Sequence, residues 1–218
     1  MSLKLIVYDL DGTLVDTLGD VSHSLNVAMA QHGLPTFAPE AILPFFGHGI
    51  KELVQNAIGT QNQHLTDSVI HIFRQHYFQN LNNQSKLYPG LESMLKKLYS
   101  KQIPQAVLTN KQEKPSKKLL KLLGIDHYFS LIAGPDTYNS HKPDPEGLLH
   151  VLEHHDIEPQ DAIMIGDSDT DIWAAHHAKV RSIAVLYGYR NQDIIVQAKP
   201  THTVESVLEL EELLIALL

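Results

Sequence analysis

Short apolar runs alternate along this chain with stretches whose apolar positions recur at helical spacing. The first run, residues 3–8, is rich in β-branched side chains and stops at Asp9-Leu10-Asp11-Gly12-Thr13. That pattern predicts a short buried strand ending in a tight loop. Similar runs at 103–108, 128–133, 162–165 and 181–186 each end in polar or glycine-containing turns. Between them, 90–100, 115–123, 145–154 and 170–179 read as helices. In the second of these, Leu119, Leu120, Leu122 and Leu123 form one apolar face, closed by Gly124 as a helix stop. Strands that are nearly all apolar and alternate with helices predict a parallel sheet covered on both faces.

Residues 16–85 break this rhythm. Val21, Leu25, Ala28 and Met29, then Leu53, Val54, Ala57 and Ile58, then Val69, Ile70, Ile72 and Phe73, are spaced for helices, with no convincing strand among them. The expected organisation is a core of residues 1–15 and 86–218 with a helical insertion, 16–85, large enough to form a lid. Residues 204–218 read as a final amphipathic helix, better suited to packing on the sheet than to a dimer contact. Monomer and homodimer both stay open.

In an open parallel sheet, ligands bind beyond the carboxyl ends of the strands. The polar residues directly after strands are Asp9, Asp11, Thr13, Thr109, Asn110, Asp167 and Asp171, and this topology gathers them at one edge. Two acids two residues apart, Asp9 and Asp11, repel each other unless a cation lies between them. An Asp-Gly turn closing a strand accounts for the same residues more simply. In 166–171, Gly-Asp-Ser-Asp-Thr-Asp, helix capping explains Ser168 or Asp169 well. It explains Asp167 poorly, because an unpaired charge against an apolar run is costly. For Asp171, capping and support of a site are equally good readings. Lys142 alone reads as an ordinary solvated loop lysine.

Composition narrows the partners. The 218 residues carry 17 Lys and Arg against 25 Asp and Glu, a formal charge of −8. That balance argues against a life on nucleic-acid backbone or anionic membrane, though not against one small phosphorylated ligand. With no cysteine there is no disulfide, thiolate zinc site or Cys nucleophile. No stretch approaches the roughly 18 apolar residues of a membrane span. Residues 1–4 lead into the first strand without a signal-peptide pattern, so a cytoplasmic protein is expected. The 14 histidines include two adjacent pairs, 154–155 and 176–177, whose members point to different sides of a helix and suit no shared ion.

The order Asp9-Leu-Asp11-Gly-Thr13, Thr109-Asn110, Lys142-Pro143 and Gly166-Asp167-Ser168-x-x-Asp171 resembles the haloacid dehalogenase superfamily of phosphatases. The resemblance spans nearly the whole chain and raises Lys142 to a strong candidate. It implies a Rossmann-like, doubly wound α/β core with an inserted α-helical cap. Asp11, which dehalogenases lack, points to the phosphatase branch. Gly47-His48-Gly49-Ile-Lys51, Leu108-Thr109-Asn110-Lys111 and Tyr187-Gly188-Tyr189 are similar to segments of phosphoglycolate phosphatases, with His48 where Asn is common.

The resemblance implies Asp9 as nucleophile, Asp11 as acid and base, and Lys142 as the cation on the transferring phosphate. It implies Mg²⁺ held by Asp9, Asp11 (through its backbone carbonyl) and Asp167, with Ser168 and Asp171 behind them. Thr109, Asn110 and Thr13 are expected to contact substrate, and His48 and Lys51 to supply the cap's cation. The expected substrate is a small phosphomonoester, 2-phosphoglycolate first. Alternatives are a pyrophosphatase, a sugar-phosphate or nucleotide phosphatase, or a β-phosphoglucomutase-like enzyme. From a different class comes a receiver module switched by phospho-Asp9, which has no use for so large a lid.

Overall fold

The computed structural model describes residues 3–218; Met1 and Ser2, where the segment read for a signal pattern begins, lie outside them. In chain order the elements are β1 (Leu5–Tyr8), β2 (Val15–Asp16), α1 (Leu18–Ala30), α2 (Ile50–Ile58), α3 (Thr66–Gln79), β3 (Lys86–Leu87), α4 (Leu91–Ser100) and β4 (Gln105–Leu108). There follow α5 (Glu113–Leu122), β5 (Leu131–Ala133), α6 (Pro135–Tyr138), α7 (Glu146–His155) and β6 (Ala162–Gly166). The last are α8 (Asp169–His177), β7 (Arg181–Val185), α9 (Gln192–Gln197), β8 (His202–Val204) and α10 (Val207–Leu217).

Six strands form one sheet in the order β5-β4-β1-β6-β7-β8, every neighbouring pair parallel. The apolar runs of the sequence are explained by burial on both faces. On β1, Ile6 and Tyr8 share a cluster with Val107, Ile163, Met94, Leu119 and Leu214, so α4, α5 and α10 cover that side. Leu5 and Val7 point the other way and join Ala106, Met164, Leu148, Val151 and Ala175 from α7 and α8. Period-two alternation places successive side chains on opposite faces, and here both faces are dry. The expected doubly wound α/β sheet is the observed one.

The segment between β2 and β3 is helical. Leu25 and Met29 of α1 and Val69 and Phe73 of α3 are buried in the same apolar cluster as Leu10 and Leu14 of the loop after β1. Two short strands close this segment: Val15 pairs with Leu87 and Asp16 with Lys86, antiparallel. A second closure is polar. Asp20 in α1 is 2% exposed and accepts hydrogen bonds from Gln84 N, from Ser85 N at 2.8 Å and from Ser85 Oγ at 2.6 Å.

Several boundaries differ from the sequence pattern. Tyr128 ends a 3-10 turn, Asp126–Tyr128, and strand pairing begins only at Leu131. Val204 belongs to β8, so the last helix starts at Val207. The β2–β3 ladder, β8, α6 and α9 were not anticipated. Elements of two to six residues are too short for periodicity to announce them.

Replacing Asp20 with Ala leaves the Gln84 and Ser85 backbone donors without their buried acceptor. Urea unfolding is expected to show a loss of about 1–3 kcal/mol; an unchanged midpoint would mean that this closure is not a stabilising contact.

Candidate active site

Chain order and sheet order part company at β1. The chain runs outward from β1 to β4 and β5, then returns to place β6 on the other side of β1. A crevice opens at such a switch point, beyond the carboxyl ends of the strands. Asp9 follows β1, Thr109 and Asn110 follow β4, and Asp167 follows β6. The expected convergence at one edge is therefore present.

Asp9 is 8% exposed and its backbone N donates to Ile165 O at 2.8 Å, which ties its Cα to β6. Its Oδ1 lies 2.9 Å from Lys142 Nζ but accepts no aligned hydrogen bond. Lys142 is buried, and its ammonium also reaches Asp171 Oδ1 at 2.6 Å and Leu108 O at 2.8 Å. Asp171 is fully buried and its Oδ2 accepts from Ser168 N at 3.0 Å. It therefore does both things that its sequence position allowed: it caps α8 and it pairs with Lys142.

Asp167 is held by two donors and enclosed by two glycines. Thr13 Oγ1 donates to its Oδ1 at 3.1 Å, and Tyr189 N donates to its Oδ2 at 2.8 Å. A Cβ on Gly12 or Gly188 would fall 2.2 Å from an Asp167 atom, so both must be glycine for the carboxylate to fit. Gly12 also has φ of +84°, a conformation L side chains rarely adopt.

Oxygens of Asp9, Asp167 and Asp171 lie within 4.8 Å of one another. One ammonium cannot neutralise three carboxylates. Burial, reinforced by the charges of Asp9 and Asp171, pushes the Asp167 carboxyl up to about 8. Burial also raises Asp171, helped by Asp9 and opposed by Lys142. For Lys142 burial acts downward, but Asp171 and Asp9 outweigh it and hold the ammonium charged. An all-oxygen cluster with surplus negative charge and an unbonded buried Asp9 oxygen fits a hard divalent cation. Asp171 is fully buried and does not border the cavity, which leaves Asp9 and Asp167 as the members of the cluster that face it.

Asp11 stands apart from that cluster. Its Oδ1 accepts from Thr17 Oγ1 at 2.7 Å and from Lys111 Nζ at 2.5 Å. Lys111 is buried beneath Tyr77, with Nζ 4.8 Å from the ring centroid. Burial would discharge Lys111, but Asp11 and Tyr77 overcome it and raise its pKa.

The remaining sequence candidates divide between the cavity and internal contacts. Thr109 is buried, lines the cavity and accepts from Lys111 N at 3.2 Å. Asn110 also lines the cavity, but its side chain is spent on positioning: Nδ2 donates to Gly47 O and Lys142 O, and Oδ1 accepts from Lys142 N at 2.8 Å. Thr13 is fully buried and faces Asp167 instead of a ligand. Ser168 caps α8, its Oγ accepting from Thr170 N. His48 Nε2 accepts from Arg190 Nη2 at 2.8 Å, so its ring is engaged by the core. Lys51 is exposed and does not border the cavity. These placements correct the expectation of a cation supplied by His48 and Lys51, because one is already bonded and the other points to solvent.

Sequence reasoning gave no role to Lys111, Tyr189 or Arg190, all of which line the cavity. The signal was available, since each follows β4 or β7 by a few residues at the same sheet edge. The cavity itself, about 490 Å³, is floored by the carboxylates and roofed by Phe46, Ile50, Phe73 and Tyr77 of the helical segment.

Residues 6–185 match the family of haloacid dehalogenase-like hydrolases, and the chain belongs to that family. It is a phosphoric monoester hydrolase of this class. Among its relatives, the phosphoglycolate phosphatase of Chromobacterium violaceum is 37% identical over 97% of this chain and 96% of its own. That of Aquifex aeolicus is 34% identical over 86% of each chain. A crystal structure of a predicted phosphoglycolate phosphatase from Haemophilus somnus superimposes with a TM-score of 0.92, at 31% identity and with 98% of each chain covered. Among the described residues no helix is long and apolar enough to cross a membrane.

Asp167 binds a proton in the folded protein that it lacks when unfolded, across the range from about 4 to about 8. Without divalent cation, stability should therefore fall as pH rises through that range. Thermal unfolding at pH 5 and pH 8 should show this slope in the wild type and a shallower one in Asp167→Asn. Equal slopes would remove Asp167 as its source.

Proposed function

We propose that the protein is a Mg²⁺-dependent phosphatase that hydrolyses a small phosphomonoester, 2-phosphoglycolate above others, through a phosphorylated Asp9. In this reading residues 1–15 and 86–218 are the catalytic core and 16–85 the cap. The observation that carries it is the Asp9 carboxylate, with a buried unbonded Oδ1 at the cavity floor and the Lys142 ammonium beside it. The names of the relatives supply the substrate.

Asp9 attacks phosphorus in line, forming the Asp9 oxygen–phosphorus bond as the ester oxygen leaves. Asp11 gives the leaving oxygen a proton and then takes one from the water that hydrolyses the acyl phosphate. Thr17 and Lys111 hold the Asp11 carboxylate in one orientation for both transfers. Lys142, kept charged by Asp171, lies against the equatorial oxygens together with the Thr109 hydroxyl. Mg²⁺ on Asp9, Asp167 and the Asp11 carbonyl would offset repulsion between the nucleophile and the dianionic phosphate. Thr13 and the Tyr189 backbone N orient Asp167 for that role.

The cap excludes bulk water from the acyl phosphate. Asn110 holds Gly47 O, and Arg190 holds Phe46 O and His48 while its Nε is anchored on Asp169. These contacts fasten the cap loop over the carboxylates. We place the enzyme in the cytoplasm, where phosphorylated metabolites are found.

Asp9→Asn keeps the shape and loses the nucleophile, so turnover should fall by at least about 10³-fold with the fold intact. EDTA should abolish wild-type activity and Mg²⁺ restore it. Steady-state rates on 2-phosphoglycolate, hexose phosphates and pyrophosphate test the substrate. A higher kcat/KM for either of the latter would overturn phosphoglycolate as the substrate.

A further inference from the structure

The cation expected from the cap is not at the cavity, yet a leaving group that bears its own carboxylate needs one. Four cationic side chains border the cavity: Arg74, Lys111, Lys114 and Arg190. Arg190 is held by Asp169, Phe46 O and His48, each of its three nitrogens making one of these bonds. Lys114 is exposed and lies over the Phe78 ring, 5.2 Å from its centroid. Arg74, on α3, is exposed as well. Lys111 differs from all three: its side chain is 9% exposed and its ammonium is 2.5 Å from Asp11 Oδ1.

Asp11, in the reading above, touches the ester oxygen of the leaving group. In 2-phosphoglycolate the carboxylate is one methylene away from that oxygen. An ammonium bonded to Asp11 is therefore within reach of that carboxylate. Lys carries three donors. One goes to Asp11, and the Tyr77 ring face covers another side of the ammonium, which leaves a donor for the ligand. Burial strengthens such a contact, because little water competes for it.

We infer that Lys111 is the specificity-determining residue for the second anionic group, binding the leaving-group carboxylate while remaining paired with Asp11. Selection for a carboxylate thus comes from the core, at the end of β4, and the cap contributes the apolar roof. The substrate follows chemically: a phosphomonoester with a carboxylate on the carbon next to the ester oxygen. This rests on the phosphatase reading and names what its site selects.

The test compares 2-phosphoglycolate with 2-hydroxyethyl phosphate, its uncharged counterpart, and with phospholactate, a second carboxylate ester. In Lys111→Met the preference for carboxylate esters, as a ratio of kcat/KM values, should shrink about tenfold or more, through KM more than kcat. Lys111→Arg, which keeps the charge, should restore part of it. Thermal unfolding of both variants checks the fold, and the ratio is read only from folded protein. If the wild type prefers phosphoglycolate and Lys111→Met keeps that preference, Lys111 serves only to hold Asp11 and the inference is wrong. A wild type that prefers phospholactate, with the preference lost in Lys111→Met, would overturn phosphoglycolate as substrate and uphold Lys111. A wild type with no preference for carboxylate esters would overturn both.

Discussion

Surplus negative charge held out of water is the constraint around which this molecule is arranged. Asp9, Asp167 and Asp171 bring carboxylate oxygens within 4.8 Å of one another, and one buried ammonium, Lys142, stands among them. Such a cluster is costly unless every charge has a partner. The fold meets that cost with donors it supplies from many places. Ser168 N, Tyr189 N and Thr13 Oγ1 each point at a carboxylate oxygen, and they come from three separate loops. What they leave without an aligned hydrogen bond is Asp9 Oδ1, which has only the shared Lys142 ammonium beside it. The same imbalance makes Asp9 available as a nucleophile and the pocket receptive to a divalent cation.

That arrangement also explains the glycines. Asp167 fits only because neither Gly12 nor Gly188 carries a Cβ, and the residue after Gly188 turns its N–H onto the same carboxylate. Tyr189 then extends outward. Its hydroxyl accepts from the backbone N of Thr17 and Leu18 at the start of α1 and donates to Asp16. Its ring meets Phe46 at 4.9 Å between centroids. One loop after β7 thus touches the carboxylate cluster, the entry to the helical segment and the segment's inner surface. Tyr189 couples that segment to Asp167, because the backbone N that bonds the carboxylate is three bonds from the ring that meets the segment.

The core was legible because its signal is repeated. The two innermost strands, β1 and β6, carry no charged or amide side chain, and only a sheet buried on both faces demands that. The acids at strand ends were legible for a related reason: charge directly after a dry strand is expensive enough to need a function. The short pairings of Val15–Asp16 with Lys86–Leu87, and β8, were not legible, since their few residues carry no period. Lys111 was given no role despite lying beside Thr109 and Asn110. A lysine in a loop is ordinarily solvated, and nothing local reveals that Tyr77, 34 positions earlier, covers this one.

By itself, the sequence determined which residues are acids, which strands are wholly apolar and in what order chemistry follows them. Those are local properties, set by residue type and spacing along the backbone. Only the tertiary structure decided which polar groups face the ligand and which face each other. Thr13 turned to Asp167, the Asn110 side chain to backbone groups, His48 to Arg190 and Lys51 to solvent. The physical reason is that hydrogen-bond partners are chosen by distance in space, and the bonds of Thr13, Asn110 and His48 all join segments far apart in the chain. Burial of Lys111 was decided in the same way, by a helix of the inserted segment closing over the end of β4.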